Sequence, residues 1–210
     1  MSKIKRTRTL LISLGCCCII AAAALAVYNY LSDSNAGAEA DKLTASFSQL
    51  LDEARATNTP DPSAVDPGLE WLPTQSETTE GEIKTLTIGE LDICGSLSLP
   101  TLGINLAIIS DWSYPKLAVS ACRYSGTPEG QMIIMAHNYQ SHFGRLTELS
   151  AGDTVSFTDA DGTVYDYQVF ATETWATDQL YEIISGDWDL TLFTCTYGGA
   201  SRVVVRCDLI

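Results

Sequence analysis

Residues 189–207 read DLTLFTCTYGGASRVVVRC. Two apolar runs, LTLFT and VVV, flank a turn that contains Gly198 and Gly199. RVVVRC is too β-branched and too short for anything but a strand. LTLFT reads as a buried strand that ends at Cys195. The stretch is therefore a pair of strands joined by a glycine turn, with a thiol ending the first and Arg202 opening the second.

The same texture extends N-terminally as far as Leu86. KTLTIG, ICGSLSLPTLG, INLAIIS, KLAVSACRYSG and QMIIMAH are short apolar runs separated by turn residues. SFTDADGTVYDYQVF (156–170) alternates apolar and polar residues on both sides of Asp161-Gly162. That is the pattern of a β-hairpin. About eight strands in residues 86–210 predict a mainly β domain, a small closed barrel or sandwich. The length holds a real core, and no internal repeat is visible.

The N-terminus is different. Lys3, Lys5, Arg6 and Arg8 precede LLISLGCCCIIAAAALAVYNY, an uncharged run from Leu10 to Tyr30. About 20 apolar residues suffice to cross a bilayer core, and this run is longer than the core of a cleaved signal peptide. Residues 10–30 are thus expected to be a transmembrane signal anchor. The basic segment 1–9 stays in the cytoplasm and the rest lies outside the cell. Residues 31–85 read as an extracellular connection. SDSNAGAEADK (32–42) is polar and loose, and LTASFSQLLDEARA (43–56) places Leu43, Phe47, Leu50, Leu51 and Ala54 at helical spacing. The segment that follows carries several prolines and many turn formers, the composition of a linker. LPTQS (72–76) within it reads as chance, and residues 32–81 could pack over a groove as a lid.

Of the 12 Lys and Arg, four precede the apolar run; the other eight stand against 26 Asp and Glu, a balance of −18. So acidic a domain repels phosphate backbones, which argues against nucleic acid as a partner. Three of the seven cysteines, Cys16, Cys17 and Cys18, fall inside the apolar run. Cys94, Cys122, Cys195 and Cys207 are widely spaced and contain no CxxC pair, so they give no zinc-ribbon signal. One bridge among Cys94, Cys122 and Cys207, or three buried free thiols, both fit this spacing.

Candidate chemistry begins with Cys195. A lone cysteine at a strand end is more often a small core residue than a nucleophile. His137 changes that balance, because it too ends an apolar strand (QMIIMAH). A nucleophilic thiol must be deprotonated, and a nearby imidazole stabilises the thiolate and later protonates the leaving amine. Arg202 would reach the same edge and stabilise an oxyanion or hold a substrate backbone. His142 reads as a packing or surface residue, and no HExxH frame suggests zinc. Arg206 shares a face with Arg202 by alternation and reads as a surface salt bridge.

TLFTC followed by SRVVV resembles the TLxTC…R signature of sortases, the membrane-anchored cysteine transpeptidases of Gram-positive bacteria. IIMAHN resembles the family's histidine segment, with Ala136 standing where glycine is usual. GSLSLPTLGINLAI (95–108) and RYSGTPEG (123–130) resemble the segments that lead to it. The resemblance covers residues 86–210 and implies an eight-stranded closed sortase-type β-barrel with short helices, preceded by the transmembrane helix. It makes Cys195 the nucleophile, His137 the acid–base partner and Arg202 the oxyanion or backbone contact, with Thr194 shaping the substrate pocket. It implies cleavage of an LPxTG-like sorting motif on secreted proteins through a thioacyl-enzyme. Transfer then goes to an amine of a peptidoglycan precursor or a pilin, with no metal or cofactor.

Other cysteine enzymes fit less well. L,D-transpeptidases resemble SHGC.R around the cysteine, which LFT contradicts. Papain-like peptidases place the cysteine first, at a helix start. A reading from another class is a catalytically inactive, membrane-anchored β-barrel that only binds partners at the cell surface. Within the sortases the two signals diverge, leaving class B-like and D-like members both open: AHN resembles the haem-protein-anchoring subclass, and the short segment 171–189 lacks the long helical insert that would point to it.

Overall fold

The computed structural model describes residues 2–57 and 83–210. The Pro-rich linker and LPTQS lie outside the described residues. One long helix, α1 (Ser2–Thr57), precedes nine strands. These are β1 (Leu86–Ile88), β2 (Leu91–Leu99), β3 (Ile104–Ile109), β4 (Ala121–Thr127), β5 (Gly130–Met135), β6 (Thr154–Asp159), β7 (Val164–Ala176), β8 (Leu190–Cys195) and β9 (Ser201–Leu209). Two short helices, α2 (Tyr114–Val119) and α3 (Leu180–Ile184), complete it.

The strands follow the order β1-β2-β3-β4-β5-β8-β9-β7-β6, and β6 pairs again with β2. Strands β2 to β9 therefore close into an eight-stranded barrel, with β1 added beside β2 outside the ring. Gly95 permits the closure. A Cβ there would lie 2.3 Å from the Phe157 ring and 2.4 Å from the Thr158 carbonyl oxygen. The Asp161-Gly162 hairpin forms as its sequence predicts, joining β6 to β7 with Gly162 at φ 83°.

Alternation sorts each strand into an inner and an outer face. Leu97, Leu106, Ile108, Met132, Ile134, Phe157, Tyr167, Leu190, Leu192, Val203 and Val205 fill the barrel. Outside, Ile133, Phe193 and Val204 pack under Ile183 of α3. On another flank, Leu43, Phe47 and Leu51 of α1 meet Ile93, Ala107, Ile109 and Leu117.

Two expectations need correction. Residues 116–119 of the run KLAVSACRYSG are not strand but the end of α2. Ser113 caps that helix by accepting a hydrogen bond from the Lys116 N–H, and Pro115 favours its first turn. Residues 32–42 are not loose. They belong to α1, which runs unbroken from the apolar segment to Thr57. Ala36, Ala38 and Ala40 favour helix, the first proline comes at Pro60, and Ala36 and Ala40 are buried against the barrel side.

Candidate active site

Sheet register places the site residues. Strands β5 and β8 run parallel, with Met135 paired to Phe193. The Ala136 N–H still donates to the Phe193 carbonyl at 3.3 Å. Continued by two residues, this register sets His137 level with Cys195. On the other side Cys195 pairs directly with Arg202 of β9, and Arg202 pairs with Trp175 of β7. Cys195, Arg202 and Trp175 thus form one row across β8, β9 and β7, at spacings of about 4.8 Å, and His137 lies two residues past the end of β5, beside the Cys195 end of that row. Residues in such a row share a face. It is the outer face, since Ile133, Phe193, Val204 and Trp175 pack together outside the barrel.

Thr194 points the other way. It is buried, and its hydroxyl donates to the Ala136 carbonyl at 2.8 Å. That bond ties the end of β5 to the end of β8 and so holds the His137 and Cys195 backbones together. Asn138 adds a second tie, its amide donating to the Thr196 carbonyl at 3.4 Å. Cys195 is partly exposed, whereas Cys94, Cys122 and Cys207 are buried, and all seven cysteines are free thiols. Burial pushes the Cys94, Cys122 and Cys207 thiols up to about 12. These three are therefore inert at neutral pH.

The Arg202 guanidinium donates to the Gly199 carbonyl at 3.3 Å and the Ser201 carbonyl at 3.0 Å. It makes no ion pair among the described residues, so its charge stays available at the site. Arg206 is not a surface salt bridge. Its side chain is 3% exposed, and Glu173 lies at the long distance of 3.5 Å. The guanidinium donates instead to the Ile183 and Glu182 carbonyls, each at 2.7 Å, and to the Thr191 hydroxyl at 3.0 Å. It is a buried cap on the last turn of α3.

His142 is fully buried, and neither ring nitrogen has a hydrogen-bond partner. Burial lowers its pKa to about 4, against weaker upward pulls from the Ala36 backbone and Asp33. Sequence reasoning missed three aromatic features. Tyr139 stacks on His137 with ring centroids 4.7 Å apart and planes 27° apart. Trp175 lies in the row beside Arg202, a position legible only once the β7–β9 register is known. Phe193 meets Tyr124 edge-on at 6.1 Å, and Tyr124 stacks on Trp112 at 6.2 Å. The last three form an apolar track leading away from Cys195.

Residues 97–210 match the family model of the sortase domain. The chain belongs to the sortase family, and its fold is that of a sortase domain. Three solved structures illustrate the likeness. Sortase C1 from Streptococcus agalactiae is 28% identical over 60% of this chain and 71% of its own, with a TM-score of 0.52. Sortase C from Clostridium perfringens SM101 is 25% identical over 61% and 72%, at 0.50. Clostridium perfringens sortase C with the C-terminal cell wall sorting motif shares the fold at 24% identity over 57% and 71%, at 0.50. The comparison with curated proteins found no match.

Proposed function

We propose that this protein is a cysteine transpeptidase that cleaves an LPxTG-like sorting motif and transfers the acyl part to an amine. The placement of His137, just past the end of β5, beside the paired Cys195 and Arg202 carries this reading. The Cys195 thiolate attacks the carbonyl carbon of the motif's threonine. Arg202 stabilises the oxyanion that forms. The C–N bond to the next residue breaks, and His137 gives its proton to the leaving amine. An acceptor amine then attacks the thioester, His137 takes its proton, and the thiolate leaves. Thr194 shapes the site by holding the two strand ends together. The stacked Tyr124 and Trp112, backed by the buried Phe193, offer an apolar bed for the motif's leucine and proline.

This chemistry uses no metal or cofactor. The acceptor is an amine of a peptidoglycan precursor or a pilin, and the donor is a secreted protein with a C-terminal sorting signal. Both lie outside the cell. That agrees with an anchor over residues 10–30 whose basic segment 1–9 is cytoplasmic, leaving residues 31–85 and the catalytic barrel 86–210 outside. α1 is long and apolar enough to cross a membrane.

The test is amine transfer by the full chain in detergent, with LPxTG-like peptides as donors and short glycyl or lysyl amines as acceptors. The ligated peptide is expected from the wild type, none from Cys195→Ala, and about 10²- to 10³-fold lower kcat from Arg202→Ala. Ligation undiminished in Cys195→Ala would reject the assignment. A folded chain inert toward every motif would favour the inactive binding barrel.

A further inference from the structure

The transmembrane helix does not stop at the membrane. Past Tyr30, Asp33, Ala36, Gly37, Ala40, Leu43, Thr44, Phe47 and Leu51 recur at helical spacing. Leu43, Phe47 and Leu51 pack on the barrel flank, and the Thr44 hydroxyl accepts from the Ala107 N–H at 2.8 Å. The membrane end of this face meets the loop that carries His137. Asp33 accepts from the Ser141 hydroxyl at 2.9 Å and from its N–H at 3.3 Å. The Ser32 and Tyr139 hydroxyls lie 3.4 Å apart. Gly37 lets the two approach, because a Cβ there would sit 2.9 Å from the Ser141 Cβ.

The loop itself is a closed unit. The Phe143 N–H donates to the His137 carbonyl at 3.2 Å, and the His142 and Gly144 N–H groups donate to the Tyr139 carbonyl at 3.0 and 2.8 Å. Within it the Tyr139 ring stacks on His137 and meets the buried His142 edge-on at 5.4 Å. Among the described residues, neither ring nitrogen of His137 is held by a hydrogen bond. The stack is therefore what fixes the plane of the imidazole, in the place where other thiol and hydroxyl enzymes use a polar third group.

We propose that Tyr139 is a positioning residue through which α1, the membrane helix, sets the orientation of His137. The proposal rests on the transpeptidase reading for the role of His137. The histidine loop is clamped to the helix that enters the bilayer, so the site is aligned only while that helix is docked.

The test uses the full chain in lipid nanodiscs, with Tyr139→Phe, Tyr139→Leu, Gly37→Leu and the Gly37→Leu/Tyr139→Leu double variant. Two readouts are taken: kcat and KM for a sorting peptide, and the rate of Cys195 alkylation by iodoacetamide, followed by peptide mass. Tyr139→Leu is expected to lower kcat about 10- to 100-fold, the cost of a small misplacement of a catalytic group. KM should stay within about twofold, and Cys195 alkylation at neutral pH should slow about tenfold. Tyr139→Phe, which keeps the stack, should recover most of both. Gly37→Leu wedges the helix away without touching the loop's sequence and favours the helix itself. It should give the same split, and the double variant should be no worse than either single one. Unchanged kcat and alkylation in Tyr139→Leu, full additivity in the double variant, or equal losses in Tyr139→Phe and Tyr139→Leu would each overturn the proposal. Wild-type chain that turns over no peptide, yet shows these alkylation differences, would sink the transpeptidase reading and leave the positioning role standing.

Discussion

At the scale of single residues, burial separates the candidate site groups from structural groups of the same type. Cys195 is reachable at a strand end, while Cys94, Cys122 and Cys207 are sealed in apolar surroundings. His137 and His142 differ likewise. His142 is buried neutral, with its pKa lowered to about 4. An unfolded histidine titrates near 6.5, so between these two values the unfolded chain binds the extra proton. Stability is then fully present above about pH 6.5 and is lost as pH falls toward 4, by about 3 kcal/mol in all. Melting of the full chain in detergent, followed from pH 7 to pH 4, should show this slope, and His142→Phe should flatten it. Equal slopes in the two proteins would contradict a neutral buried His142. Both histidines end or follow the same apolar run, and sequence alone gave His142 two readings, packing or surface. Only the loop's fold and the docked α1 decide between them.

At the scale of elements, the strands were legible because each carries its own signal. VVV, the Asp161-Gly162 turn and the LTLFT run need no partner to be recognised. Elements whose character depends on a neighbour were not. Residues 32–42 look loose as a string of Ser, Asp, Asn and Gly, but the small residues Ala36, Gly37 and Ala40 are what allow close docking. Arg206 alternates in step with Arg202 and so looked exposed. Its face is covered by α3, which periodicity cannot reveal. The covering makes a prediction at this scale. Arg206→Met removes the donors to the Glu182 and Ile183 carbonyls and leaves the buried Ile183 carbonyl unpaired. The cost should be about 3 kcal/mol, measured as a lower urea midpoint at unchanged slope. A change below about 0.5 kcal/mol would mean that α3 is held by Ile183 packing alone.

At the scale of the molecule, the barrel brings distant strands together. Strands β5 and β8 are separated in sequence by the whole β6–β7 hairpin and α3, yet lie side by side. The ordered signatures around His137, Cys195 and Arg202 could be recognised in the sequence. Their juxtaposition could be inferred only through the family resemblance, because parallel pairing over such a span leaves no local mark. The acidic balance outside the apolar run matches a domain facing solvent rather than phosphate. The most direct measurement is the intact mass of the full chain in detergent after incubation with LPxTG-like peptides and no acceptor amine. The account predicts a mass gain equal to the peptide acyl group, mapped to Cys195, absent in Cys195→Ala and discharged by added amine. An unmodified Cys195 in a chain that nonetheless cleaves the peptide, or an adduct on another residue, would contradict it.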